Sequence, residues 1–140
     1  MRNLFAYGTL MVPAVMQAVT GQSFRQEPAT LTNYVRCWIK RQVYPGIFAA
    51  ANHTVHGLIY FDIDERSLQR LDEFESEVYE RREVHGQLTG GDTVIADAYI
   101  VATRYEHLLG SESWDLDQFK EQYLQAYLSS LKYIGSRHSS

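Results

Sequence analysis

The sequence predicts an α+β fold in which a mostly antiparallel sheet, strongly curved or barrel-like, is flanked by two or three helices. Three observations carry this reading. Stretches rich in β-branched and aromatic residues recur along the chain, separated by glycine-bearing breaks. Two of them, 79–88 and 93–102, are joined by the short Thr89-Gly90-Gly91-Asp92 segment, as in a hairpin. Helical periodicity is confined to a few segments, the longest of them near the C-terminal end.

Taken in order, Leu4-Phe5-Ala6-Tyr7 reads as a short buried strand that breaks at Gly8. Pro13 to Thr20 then offers a helix, opened by proline and closed by Gly21. Ala29 to Ile39 reads as a strand, and Tyr44-Pro45-Gly46-Ile47 marks a turn. Val55 to Ile63 is another strand, almost continuously apolar from Leu58 to Phe61, as in a strand covered on both faces. Asp64 supplies an N-cap, and Leu68 and Leu71 stand at helical spacing in a helix that runs to Glu75. Leu116, Phe119, Tyr123, Tyr127 and Leu131 form one apolar stripe on a C-terminal helix. No repeat or linker interrupts this order, so residues 1–134 are expected as one domain and 135–140 as a loose tail.

Composition narrows the function. With 45% hydrophobic and 21% charged residues in 140, the chain has the make-up of a water-soluble domain with a real core. Its 13 Lys and Arg against 17 Asp and Glu leave a net charge of −4 with no basic cluster, which argues against nucleic acid as a partner. The apolar run at the start is too short for a signal peptide or a membrane span, so a cytoplasmic location is expected and no membrane partner. The single Cys37 agrees with a reducing compartment and reads as a bland buried thiol in a strand. Nothing in the composition sets an oligomeric state.

Two features could carry chemistry. On a helix of about 100° per residue, Leu68 falls at about 0°, Leu71 at about 300° and Glu75 at about 340°, whereas Glu73 and Glu77 project toward solvent. Glu75 therefore sits within the apolar stripe. A carboxylate there is costly unless it is paired or used, which leaves two readings: a functional acid, or a structural one bonded to an arginine or a backbone amide. The second feature is Tyr7-Gly8-Thr9-Leu10. If Gly8 adopts a backbone angle closed to other residues, successive amides can converge into a nest for a carboxylate or an oxyanion; otherwise the glycine marks a plain turn. His53 and His56 lack a third ligand nearby, so no metal is expected. Of Arg81 and Arg82, which alternate on a strand, one should face an acid.

Tyr7-Gly8-Thr9-Leu10, Tyr44-Pro45-Gly46-Ile47, His56-Gly57-Leu58-Ile59-Tyr60, Leu71-Asp72-Glu73-Phe74-Glu75 and Tyr79-Glu80-Arg81 occur in that order. In order and spacing the chain resembles the γ-glutamylcyclotransferase-like superfamily from about residue 3 to about residue 103. The branch it is most similar to is the plant avirulence-induced-gene-like and γ-glutamylamine cyclotransferase group. The resemblance implies a small mixed β-barrel with helices around it. It also implies a substrate cavity lined by Tyr7, Gly8, Thr9 and Leu10, Glu75 as catalytic acid/base, and Arg81 as a further substrate-binding candidate. Ser76 stands where many relatives have glycine, and Val101 where an aromatic often ends the late strand, with Tyr99 the nearest tyrosine.

The implied activity is that of an acyltransferase: the α-amine of a γ-glutamyl amine or γ-glutamyl amino acid attacks its own γ-carbonyl, giving 5-oxoproline and a free amine. Because the reacting groups belong to one molecule, orientation alone can supply roughly 7–11 kcal/mol. No cofactor is therefore expected. The alternative is a binding module of the same fold that holds a small carboxylated ligand without turning it over. A hydrolase using two opposed acids fits less well, because Asp72 and Glu75 lie on one helix.

Overall fold

The computed structural model describes the backbone of residues 1–138 and the side chains of residues 1–131. Five strands, β1 (Arg2–Ala6), β2 (Gln26–Trp38), β3 (Pro45–Ile63), β4 (Tyr79–Leu88) and β5 (Thr93–Val101), close into a barrel in the order β1-β3-β2-β4-β5. All neighbours pair antiparallel except β1 and β5, which run parallel and meet at Leu4↔Asp97. The barrel is thus mixed and mostly antiparallel, as expected. Its helices are α1 (Pro13–Thr20), α2 (Glu65–Glu75), α3 (Leu116–Gln122) and α4 (Leu124–His138), with short 3-10 turns at Thr9–Met11 and Thr103–Leu108. No helix among the described residues is long and apolar enough to cross a membrane.

Strand alternation divides the core in two. Phe5 of β1 and Tyr7 just after it, Ile59 of β3 and Ala96, Ala98 and Ile100 of β5 fill the barrel. Leu4, Ala6, Tyr60 and Tyr99 point the other way and meet Val15 and Met16 of α1, Leu68 and Leu71 of α2, and Phe119 of α3. Leu71 is fully buried, a contribution of roughly 1.5–3 kcal/mol, and this contact seats α2 against the barrel. Asp64 caps α2 as expected, its carboxylate accepting the Ser67 N–H at 3.1 Å.

Three boundaries differ from expectation, each for a tertiary reason. Tyr44-Pro45-Gly46-Ile47 does not turn: the reversal lies before it, and Pro45, Gly46 and Ile47 open β3, paired with Trp38, Cys37 and Arg36. Gly46 is a packing glycine, since a Cβ there would lie 2.3 Å from the Val101 side chain. The strand expected from Val55 begins instead at Pro45, because a bulge bends the β2–β3 pair without ending it. There the register passes from Thr32↔Thr54 to Tyr34↔Ala49, and Asn33 and Asn52 take φ of 65° and 68°, a region asparagine tolerates. Finally, the expected single C-terminal helix breaks at Tyr123 (φ −126°). The break lets Tyr123 lie edge-on to Trp38 at 6.1 Å, while Tyr127 turns toward the barrel end. Helix α4 continues to His138, into the stretch expected as tail; residues 139–140 lie outside the described ones.

Candidate active site

Where β1 ends, the chain crosses the mouth of a cavity of about 230 Å³. Its walls come from distant parts of the sequence: Tyr7, Gly8, Thr9 and Leu10 after β1, Tyr44 and Pro45 at the start of β3, and Phe74, Glu75 and Ser76 at the end of α2. Leu4, Phe5 and Ala6 of β1, Tyr79 of β4, Tyr99 of β5 and Tyr127, Ser130 and Leu131 of α4 complete them. The cavity brings Tyr7, Gly8, Thr9, Leu10 and Glu75 together.

The Tyr7–Leu10 loop has all its carbonyls engaged. The Tyr7 oxygen accepts from Arg36 at 2.7 Å, those of Gly8 and Thr9 accept the N–H groups of Met11 and Val12 at 3.0 and 3.1 Å, and that of Leu10 accepts the Tyr60 hydroxyl at 2.6 Å. N–H and C=O point oppositely in a planar peptide, and the opening amides of a helical turn have no partner within it. Pinning the carbonyls therefore sets the direction of the amides. The reason for glycine at position 8 differs from the one the sequence suggested. Its φ is −127°, so no left-handed nest forms there. A Cβ at Gly8 would instead lie 2.8 and 2.9 Å from the Pro45 ring, so glycine lets β3 approach this loop.

Glu75 ends α2. Its side chain is half-buried, because the cavity reaches one side of it while protein surrounds the rest. Burial pushes its carboxyl up to about 8. Among the described residues, no side chain forms an ion pair or hydrogen bond with it, and the arginine that could have done so is occupied. Arg81 lies outside the cavity, donating to both Asp72 oxygens at 2.8 and 3.2 Å and to Asp97 at 3.0 Å. Arg81 thus faces acids, as one of the two alternating arginines was expected to. Asp97 is only 2% exposed. Burial alone would raise its carboxyl, but Arg2 and Arg81 on either side hold it below the ordinary value. Asp72 also accepts the Tyr99 hydroxyl at 2.7 Å, so this network ties α2, and with it Glu75, to β4 and β5.

Sequence reasoning placed Tyr7 at the cavity but gave Tyr44, Tyr79, Tyr99 and Tyr127 no part in its walls. Tyr127, assigned to the core with Tyr123, lines the cavity with its hydroxyl 3.3 Å from Thr9 Oγ1. Tyr7 donates to the Tyr99 carbonyl at 2.6 Å and Tyr79 to the Pro45 carbonyl at 2.7 Å. Burial raises the hydroxyls of Tyr7, Tyr44, Tyr79, Tyr99 and Tyr127, and the charge of Glu75 adds to the rise. The available signal was compositional: 10 Tyr against 6 Phe is more hydroxyl than an apolar core needs. Val101 packs against Gly46, and Tyr99 supplies the aromatic wall. The 105–114 segment lies outside the cavity walls, with Trp114 buried and donating to the Val43 carbonyl at 3.0 Å.

A family model described as gamma-glutamyl cyclotransferase, AIG2-like, matches residues 4–116. AIG2-like protein D of Arabidopsis thaliana is 32% identical over 135 residues, spanning 94% of this chain and 88% of its own. A solution structure of an Arabidopsis thaliana protein superposes with a TM-score of 0.71 at 22% identity, covering 99% of this chain and 93% of its own. A structure described as gamma-glutamyl cyclotransferase gives 0.65 at 17% identity, covering 94% and 86%. At these identities the two structures show a shared fold, and the sequence matches carry the relationship further. On the family match, which spans most of the chain, and the 32% identity to an AIG2-like protein, the chain belongs to the gamma-glutamyl cyclotransferase, AIG2-like family.

Proposed function

We propose that this protein is a γ-glutamylcyclotransferase that converts a γ-glutamyl amine or γ-glutamyl amino acid to 5-oxoproline and a free amine, with Glu75 as general acid/base. The observation that carries this reading is the Glu75 carboxyl, without an ion-pair or hydrogen-bond partner among the described residues and pushed up to about 8, in the same cavity as the Tyr7–Leu10 loop. An acid of that strength is protonated in much of the free enzyme at neutral pH. A substrate α-ammonium placed beside it favours the carboxylate, which then takes the proton that blocks the nitrogen lone pair.

The freed α-amine attacks the γ-carbonyl carbon, and a tetrahedral centre forms with its charge on oxygen. Amides of the Tyr7–Leu10 loop suit that oxygen or the substrate α-carboxylate. Attack closes the five-membered ring; the proton on Glu75 then passes to the departing nitrogen as the original amide bond breaks and the lactam carbonyl re-forms, and the second proton of the attacking nitrogen leaves through Glu75 to the released amine. Nothing is oxidised or reduced, and water takes no part. A cytoplasmic setting belongs to the same proposal, since the lone Cys37 needs no partner there.

A 5-oxoproline release assay over a panel of γ-glutamyl amino acids and amines tests the reading, with Glu75→Gln alongside. Glutamine keeps the shape and hydrogen bonds but cannot accept the proton, so turnover should fall by at least roughly 10²–10⁴-fold while 5-oxoproline still binds. Full activity in the variant would refute the assignment of Glu75. A folded wild-type enzyme that binds 5-oxoproline but releases it from no member of the panel would support the non-catalytic binding module instead.

A further inference from the structure

Of the donors that pin the Tyr7–Leu10 carbonyls, only one carries a charge. Met11, Val12 and Tyr60 are neutral donors, whereas Tyr7 is held by the guanidinium of Arg36 at 2.7 Å. Arg36 sits on β2 and reaches across β3, and the same Nη1 donates to the His56 carbonyl at 3.0 Å. This is where the β1–β3 ladder stops, beyond Ala6↔Leu58, so the guanidinium bridges the carbonyls of two diverging chains. The Trp114 ring lies 5.4 Å from its Cζ and holds it from one side. Burial lowers the Arg36 pKa, opposed by the charge of Asp115; arginine nevertheless stays protonated.

Gly8 lines the cavity and Arg36 does not. A Tyr7 carbonyl drawn toward Arg36 turns the Gly8 N–H of the same planar peptide the opposite way, to the cavity side. A charged donor on the carbonyl also polarises that peptide and strengthens its N–H as a donor. We propose that Arg36 is a positioning residue, which holds the Tyr7 carbonyl so that the Gly8 amide donates to the α-carboxylate of a γ-glutamyl substrate. It acts through the peptide and never touches the ligand. The identity of that ligand rests on the proposed function, whereas the peptide geometry does not.

The test compares wild type with Arg36→Met and Arg36→Lys, using 5-oxoproline as the binding probe. In ¹⁵N-labelled free protein the Gly8 amide proton should move upfield in Arg36→Met, as the peptide loses its polarisation. The Kd for 5-oxoproline and the KM for a γ-glutamyl substrate should each rise roughly tenfold, the worth of about one hydrogen bond. With Glu75 untouched, kcat should stay within about twofold, and Arg36→Lys should fall between the two. A purely structural arginine would lower Tm and leave the Gly8 resonance, Kd and KM of the folded protein unchanged, which would overturn the proposal. If Arg36→Met does not fold, Arg36→Lys is read alone: a displaced Gly8 resonance with weaker binding supports the proposal, and an unchanged pair overturns it. A wild type that releases no 5-oxoproline defeats the enzymatic reading only, because the Gly8 resonance still decides the role of Arg36.

Discussion

Glu75 is held where its charge is disfavoured, and that has a measurable stability consequence. Its carboxyl stands at about 8 in the folded protein against an ordinary 4.5. Between those values the folded state keeps a proton that the unfolded chain has released, so stability falls as pH rises through this window and levels off above it. Glu75→Gln removes the titration. The variant should match wild type at pH 4 and exceed it by about 1–3 kcal/mol at pH 8, after allowing for the water the cavity brings to the carboxylate. Thermal melts of both proteins across pH 4–9 check this, and parallel curves would mean that Glu75 keeps an ordinary pKa. A variant more stable but inactive is the expected signature of an acid placed for function.

At the scale of the element, α2 is made by its N-cap and its leucines but aimed by its last residues. Beyond Glu75 the chain turns at Ser76 with φ 66° and ψ −169°, a conformation open almost only to glycine. A glycine at this position, as the family resemblance implies, would adopt it freely. The same conformation makes Ser76 a strained residue directly beside the proposed base. Ser76→Gly should relieve the strain and stabilise the protein by about 1 kcal/mol net of glycine's greater chain entropy, raising Tm by about 3 °C. Differential scanning calorimetry checks it, and a lower Tm would show that Ser76 sits in α2's C-cap without strain. The other end of the lever is the Arg81–Asp72 and Arg81–Asp97 pairing, which keeps α2 from swinging away from β5.

For the whole molecule, the cavity walls come from β1 and the loop after it, the starts of β3 and β4, β5, the end of α2 and the first half of α4. A ligand seated there bridges both halves of the core, so it should stabilise the cooperative unit and not one segment. At about 100 times its Kd, 5-oxoproline should add about 2.7 kcal/mol to unfolding, read as a rise in Tm for wild type and for Glu75→Gln alike. No rise in either protein would exclude the cavity as a site for the product. The barrel's closure matters here, because Leu4↔Asp97 brings the parallel β1–β5 edge together and places Tyr99 opposite Tyr7.

What could be read along the chain was what neighbours in sequence decide. Pro13 and Gly21 bound α1, Asp64 starts α2, Gly90 and Gly91 join β4 to β5, and the phase of Leu68, Leu71 and Glu75 puts a carboxylate in an apolar stripe. Capping, turn chemistry and periodicity are local, so they survive without a fold. What the tertiary structure decided depends on residues far apart in sequence. Gly46 reads as a turn until Val101 is seen against it, and the acids that Arg81 faces are unnamed until Asp72 and Asp97 are seen to hold it. Tyr127 reads as core until Thr9 meets its hydroxyl, and Arg36 carries no motif until the Tyr7 carbonyl comes within 2.7 Å of it. Packing and hydrogen-bond geometry assign those roles, because a side chain's partner across a closed barrel is fixed by register and not by spacing.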